Sequence, residues 1–226
     1  DAGVAGDLDR DAALMDFLMR RAPRLKGRAP NTPILAPGED AVAGTTRAVI
    51  DLDGSTLFVQ GPPGTGKTYT IAAVIIDLFK RGYRVGVSSN SHKAINKVLE
   101  EVEVQAKAGA DFVGVKKGTK DDPDTHFDSA HITTVFKSED VAAHHRLVGG
   151  TAFHFCRDDQ QGQFDYLIVD EAGQVSLGNL VAMAGAARNL VLVGDQMQLA
   201  QPIQGVHPGE TGMSALDYLL QGLATV

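Results

Sequence analysis

Short apolar runs ending in small or charged residues punctuate the chain: "LFVQ" from Leu57, "RVGVSS" from Arg84, "YLIVD" from Tyr166 and "NLVLVGD" from Asn189. Between them lie longer stretches with apolar residues every three or four positions, namely "KTYTIAAVIIDLFK", "HKAINKVLEEV" and "LGNLVAMAGAA". Runs of the first kind read as strands covered on both faces, and stretches of the second kind as helices packed against them. Strand, long helix and strand again implies parallel pairing through right-handed crossovers. The pattern therefore predicts an α/β fold with a mostly parallel central sheet flanked by helices. Further strands are expected at "HITTVF" and "GTAFHF".

At the start, "DLDRDAALMDFLMRR" brings Leu8, Ala12, Met15 and Met19 to one helical face before Pro23 and Pro30 break the chain. Residues 1–36 are expected to form a helix and linker, and 37–226 the main domain. Within it, "GVKKGTKDDPDTHFD" is charged and turn-rich and "KSEDVAAHHRLVGG" is a short helix at best, so about 104–150 reads as a loose insertion.

The first apolar run leads into Gly61-Pro62-Pro63-Gly64-Thr65-Gly66-Lys67-Thr68. Glycine and proline suit a loop whose backbone N–H groups turn toward one point, and the spacing matches the phosphate loop. Lys67 would reach the outer phosphates, the Thr68 hydroxyl Mg²⁺, and the helix from Lys67 would add its positive dipole end. A nucleoside triphosphate is the expected guest. The third run ends in Asp170-Glu171, at a strand's carboxyl end, where open α/β sheets bind ligands. Asp170 would hold Mg²⁺ through its water shell, and Glu171 would orient or deprotonate a water. The fourth run leads to Gly194-Asp195 and then Gln198, whose amide can both donate to a phosphate oxygen and accept from a water.

Composition changes the picture little. With 226 residues, 43% of them hydrophobic, the chain can bury a substantial core, and its single cysteine, Cys156, excludes an internal disulfide framework. No apolar run approaches the roughly eighteen residues of a membrane span, and "DAGVAGDLDR" lacks both a starting methionine and a signal peptide's blocks. A cytoplasmic protein, cut from a longer chain and without membrane contact, is expected. A net charge of −7 weighs against nucleic-acid binding, but Lys and Arg gather at Arg20 to Arg28, Lys80 to Arg84, Lys93 and Lys97, and Lys116 to Lys120, so a basic surface can coexist with it. His154 and Cys156 would share a strand face with His144-His145 nearby, yet without paired cysteine spacing zinc is not expected.

"GPPGTGKT", "SSNSHKAINKVL", "GGTAF", "VDEAGQ" and "VGDQMQLAQP", in this order, resemble motifs I, Ia, Ic, II and III of superfamily-one helicases. "SNSHKAIN" and "QPIQGVHPGETGMSALDYLL" resemble, more narrowly, bacterial proteins that fuse a RecB-like nuclease to such a helicase. The resemblance spans about Pro37 to Leu220. It implies the first RecA-like domain of a P-loop NTPase motor, using ATP and Mg²⁺ and completed by a second RecA-like domain. It assigns phosphate contacts to Gly64 through Thr68, Mg²⁺ to Thr68 and Asp170, water activation to Glu171 and γ-phosphate sensing to Gln198. Ser91, His92 and Thr151 fall where family members touch the nucleic-acid backbone. The implied partner is single-stranded nucleic acid, with DNA and 5′ to 3′ travel favoured. The sequence departs from the family pattern in three places: Glu39 and Asp40 stand near the expected adenine-reading glutamine, His92 where asparagine is common, and Gln196 where proline is common. Hexameric AAA+ ATPases share the loop, but their acidic pair usually follows the lysine sooner and their next strand ends in a polar sensor where this chain has "VGDQMQL". A small-molecule kinase would need an arginine-bearing lid, which the sequence does not offer. A binding module without turnover is the remaining alternative, and the presence of Lys67, Asp170 and Glu171 speaks against it.

Overall fold

The structure, a computed structural model, describes residues 11–29, 32–62, 64–106, 109, 111–195 and 213–221. Its strands are β1 (Thr56–Gln60), β2 (Val85–Ser88), β3 (Gly114–Lys117), β4 (Ile132–Val135), β5 (Leu147–Gly149), β6 (Phe164–Val169) and β7 (Ala187–Gly194). They form one sheet in the order β1-β7-β6-β2-β5-β3-β4, and each neighbouring pair is parallel. All strand carboxyl ends therefore open on one edge.

Helices α2 (Ala41–Ile50), α3 (Lys67–Lys80) and α4 (His92–Ala106) cover one face; α1 (Ala12–Leu18), α5 (Ala152–Phe155), α6 (Leu177–Ala184) and α7 (Ala215–Leu220) cover the other. The period of two in the strands explains how both layers are served. Tyr166, Ile168, Val191 and Val193 pack toward α3 and α4, while Leu167, Val169, Leu190 and Leu192 pack toward α6 and α7. Strands apolar at every position are what a sheet sandwiched between helices requires. Among the described residues no helix is long and apolar enough to cross a membrane.

Three expectations differ from the structure. "GTAFHF" is not a strand: β5 lies just upstream, where Leu147 and Val148 are wholly buried between β2 and β3, and Ala152–Phe155 is the helix α5. The alternation of Phe153 and Phe155 imitates a strand, but two residues along a helix turn by about 200°, and Phe153 is 82% exposed while Phe155 is 0% exposed. His154 and Cys156 accordingly share no strand face. Segment 104–150 is not merely loose, since it supplies β3, β4 and β5. Finally, α1 buries Ala13 and Phe17, not Ala12, Met15 and Met19; Leu8 lies outside the described residues. Asp16 misleads the periodicity: a charged residue sits on the inner face because its carboxylate accepts from Ser55 Oγ at 2.7 Å and Arg24 Nε at 2.9 Å. With Thr56 Oγ1 donating to Ala13 O at 2.7 Å, α1 is bonded to the segment leading into β1.

Candidate active site

The loop between β1 and α3 is shaped by glycine where the backbone demands it. Gly64 and Gly66 both hold φ +81°, in the left-handed region that side chains disfavour. Gly66 precedes α3, and its carbonyl accepts the Thr70 N–H at 2.9 Å. The Lys67 ammonium donates to the carbonyls of Gly61 and Pro62, the latter at 2.9 Å, and the Thr65 hydroxyl donates to Pro62 O at 2.8 Å. Pro63 lies outside the described residues.

Across the sheet edge, β6 delivers Asp170, whose N–H donates to Ser88 O at 2.9 Å and ties it to the end of β2. Asp170 is 9% exposed. Burial pushes its carboxyl up to about 6, the charge of Glu171 adds to the rise, and Lys67 and Lys97 oppose it. Glu171 is left-handed at φ 52° and ψ 41°, a region a glutamate rarely occupies.

These groups share one cavity of about 380 Å³, with Gly64, Gly66, Lys67 and Thr68 on one side and Asp170 and Glu171 on the other. Gly194, at the end of β7, and two residues of α4, Ala94 and Lys97, complete it. Lys97 was visible in the sequence only as part of a basic cluster. The informative signal was its spacing from Ala94, which puts both on the turn of α4 that follows the β2 end, beside β6.

A second cavity, about 430 Å³, meets the first at Lys67 and is walled by Leu35, Ala41, Ala48 and Phe58. Its apolar walls suit a planar ring beside the phosphate loop. Glu39 is not among its lining residues: its carboxylate takes two bonds from Arg47, at 2.7 and 3.0 Å, and one from Ala36 N at 2.8 Å. The Arg47 bonds hold that carboxyl down at about 2. Asp40 caps α2 by accepting from Ala43 N at 2.9 Å. A wider cleft of about 700 Å³ lies at the opposite, amino edge beside Arg24, Asp53 and Arg188, away from all of these groups.

The residues expected at nucleic acid also gather at the carboxyl edge. Ser91 caps α4, its hydroxyl accepting from Ala94 N at 3.1 Å. His92 Nδ1 meets Lys116 Nζ at 2.7 Å, and this lysine of β3, 0% exposed, also donates to Lys117 O at 3.1 Å and Thr125 O at 3.3 Å. Burial pushes Lys116 down to about 8, and burial together with the Lys116 charge lowers His92. An ammonium only donates, so Nδ1 is the acceptor and this network assigns the imidazole proton to Nε2. Thr151 immediately precedes α5, and it shares a small cavity with His92 that Ser91 does not line. Gln198 and Gln196 lie outside the described residues.

The family model of the AAA domain matches residues 43–211. Curated relatives include the DNA replication ATP-dependent helicase/nuclease DNA2 of Gallus gallus, 32% identical over 172 residues that are 69% of this chain and 16% of that protein. The protein of the same name in Schizosaccharomyces pombe is 28% identical over 178 residues, 69% of this chain and 11% of its own length. That of Homo sapiens is 29% identical over 164 residues, 69% and 15%. The chain thus spans 16% or less of the length of these relatives. A match over this much of the sequence, on a parallel sheet that carries its phosphate loop and acidic pair at one edge, means that the chain belongs to the AAA domain family.

Proposed function

We propose that this chain is the ATP-binding half of a DNA helicase or translocase motor, and that its carboxyl edge holds Mg·ATP at one end and a DNA strand beside it. The observation that carries the reading is the meeting of Lys67, Thr68, Asp170 and Glu171 around one cavity. Lys67 would exchange its loop carbonyls for phosphate oxygens, a stronger, charge-assisted partner. Gly64 and Gly66 leave the loop free of side chains where phosphates approach. Mg²⁺ fits a donor set of one hydroxyl, Thr68, and one carboxylate, Asp170, because it usually keeps waters and phosphate oxygens as its other ligands. The raised, buried Asp170 carboxyl is a group that a cation would stabilise in its charged form. Bound there, Mg²⁺ would offset negative charge on the phosphates.

Glu171 would orient and deprotonate the attacking water, and Gln198 would report the γ-phosphate. The adjoining, largely apolar cavity would take the base, with the carboxamide residue Gln60 on its wall. His92 Nε2–H and the Thr151 hydroxyl would donate to the DNA backbone, while Ser91, already committed to its cap, would act through the N–H groups of the α4 terminus. Relatives that are helicase/nucleases of DNA replication support DNA over RNA, and support this reading over a hexameric ATPase. A second RecA-like domain would complete the site.

The test is Glu171→Gln in a longer chain that carries the second motor domain. Mg·ATP binding should persist while turnover falls by about two orders of magnitude or more, because water positioning and charge placement dominate phosphoryl transfer. Unchanged hydrolysis would sink the assignment.

A further inference from the structure

Lys116 of β3 is a charge buried where neither the nucleotide site nor the core calls for one. Its three N–H bonds go to His92 Nδ1 at 2.7 Å, Lys117 O at 3.1 Å and Thr125 O at 3.3 Å, and no carboxylate among the described residues bonds to it. An ammonium has three donors and no acceptor, so this one is saturated. Burying a charge without a counter-ion is costly, and an apolar side chain of similar size would fill the space without that cost. What only the charge can secure is the state of His92. This residue opens α4 and is half-buried on the wall of a cavity of about 200 Å³ that Thr151 also lines. Its Nε2 carries no hydrogen bond among the described residues, yet it is not sealed from solvent. With Nδ1 facing an ammonium, a second proton on the ring would set two donors against each other. Burial and the Lys116 charge accordingly disfavour the imidazolium, Asp122 in the turn after β3 opposes them, and Lys117 of β3 adds to them. No other residue lining the cavity is charged.

We propose that Lys116 is a positioning residue for the strand contact: its buried ammonium fixes the His92 ring so that Nε2–H meets the strand backbone as an uncharged donor rather than as a cation. The proposal rests on the nucleic-acid reading above. Lys116 itself touches no ligand and acts only through His92. A fixed neutral donor adds a hydrogen bond to the backbone without releasing a counterion, so this contact places the strand and leaves the salt dependence to other groups. A lysine that merely tied β3 to the short turn Pro123–Thr125 would need the carbonyls of Lys117 and Thr125 but not the imidazole.

Nitrogen NMR of the histidine rings reads the tautomer directly. In the parent at pH 7, His92 should show a bare Nδ1 and a protonated Nε2, and this pattern should blur above pH of about 8, where Lys116 releases its proton and can accept from Nδ1–H instead. Lys116→Met should raise the pH at which His92 titrates. Fluorescence anisotropy of labelled oligothymidylate then reads the consequence. At pH 7.5, Lys116→Met should weaken binding about 2- to 12-fold, the range of one neutral hydrogen bond. Between pH 7.5 and pH 6 its salt slope should steepen by up to about 0.7 more than the parent's, as an imidazolium forms. In a His92→Phe background both effects should disappear. A protonated Nδ1 in the parent, an unchanged His92 titration in Lys116→Met, or an equal loss of binding in the His92→Phe background overturns the proposal and leaves the nucleic-acid reading standing. A parent that binds no oligothymidylate removes that reading, and the proposal with it.

Discussion

Two residues at the carboxyl edge hold conformations or charges that the fold must offset elsewhere. Glu171 occupies the left-handed region at φ 52°, a strain of about 1–3 kcal/mol for a non-glycine residue, directly after the strand that delivers Asp170. Such strain persists where the surroundings over-determine it, and here it lets two consecutive acidic residues line the same cavity. Lys116 is the second case, an ammonium kept at 0% exposure by His92 and two backbone carbonyls. Burial, with Lys117 as a smaller contributor, lowers it from 10.5 to about 8. Between those values the unfolded chain binds the proton that the folded chain releases, so this residue's contribution to stability is unfavourable at pH 7 and rises as pH increases from about 8 toward 10.5. Lys116→Met should remove that rise, at most ~3 kcal/mol, and urea titrations of both proteins at pH 7 and pH 10 would measure it. A rise with pH that survives the substitution would mean that Lys116 is not its source. The sequence marks Lys67, Asp170 and Glu171 by their motifs, because phosphate chemistry fixes their spacing. It gives no such mark to Lys116, whose role arises only when β3 is laid beside β5 and under the start of α4.

At the scale of elements, the motif-bearing strands were legible and the β5 to α5 turn was not. β1, β2, β6 and β7 stand where their apolar runs predict, and α3 runs from Lys67 to Lys80 as its periodicity requires. Those strands lie side by side at one side of the sheet, buried by helices on both faces, so continuous apolar sequence is forced on them. β4 stands where "HITTVF" predicts, whereas β3 and β5 are only four and three residues long and β3 includes Lys116 and Lys117. That is too short and too polar for a pattern to emerge from turn-rich surroundings. They are nevertheless structural: β5 pairs with β2 and β3 at once, and Leu147 is 0% exposed. Leu147→Ala should therefore cost about 2–5 kcal/mol, the range for a buried leucine truncation, whereas a residue in a dispensable insertion would cost almost nothing. Chemical denaturation reads the difference directly, and a loss under about 0.5 kcal/mol would return 104–150 to the status of an appendage.

The whole molecule is polarised by its parallel sheet, with the phosphate loop, the acidic pair and the loops of Ser91, His92 and Thr151 on the carboxyl edge and a different set of charges on the amino edge. Rapid phosphoryl transfer to water generally needs an arginine over the transferring phosphate, worth about 10³ to 10⁵ in rate. No arginine among the described residues lines the nucleotide cavity. Arg188 sits near the start of β7, while Gly194 at the end of that strand touches the cavity; six residues at about 3.3 Å each separate them, roughly 20 Å. Arg188 is moreover engaged by Asp53 at 2.7 Å, and Arg84, at the start of β2, donates to the carbonyls of Ala142, His145 and Gln163. Arg47 is held by Glu39. Lys97 does line the cavity, but an ammonium is a compact point charge without the planar fork that spans two phosphate oxygens. Residues 1–226 alone should therefore bind Mg·ATP yet hydrolyse it near background, without a response to single-stranded DNA, and recover stimulated turnover when a second motor domain supplies the missing guanidinium. A coupled phosphate-release assay with and without DNA measures this. Robust DNA-stimulated hydrolysis by residues 1–226 would overturn the two-domain reading, and Lys97→Ala would then show whether the lysine substitutes for the arginine or a neighbouring copy of the chain lends one.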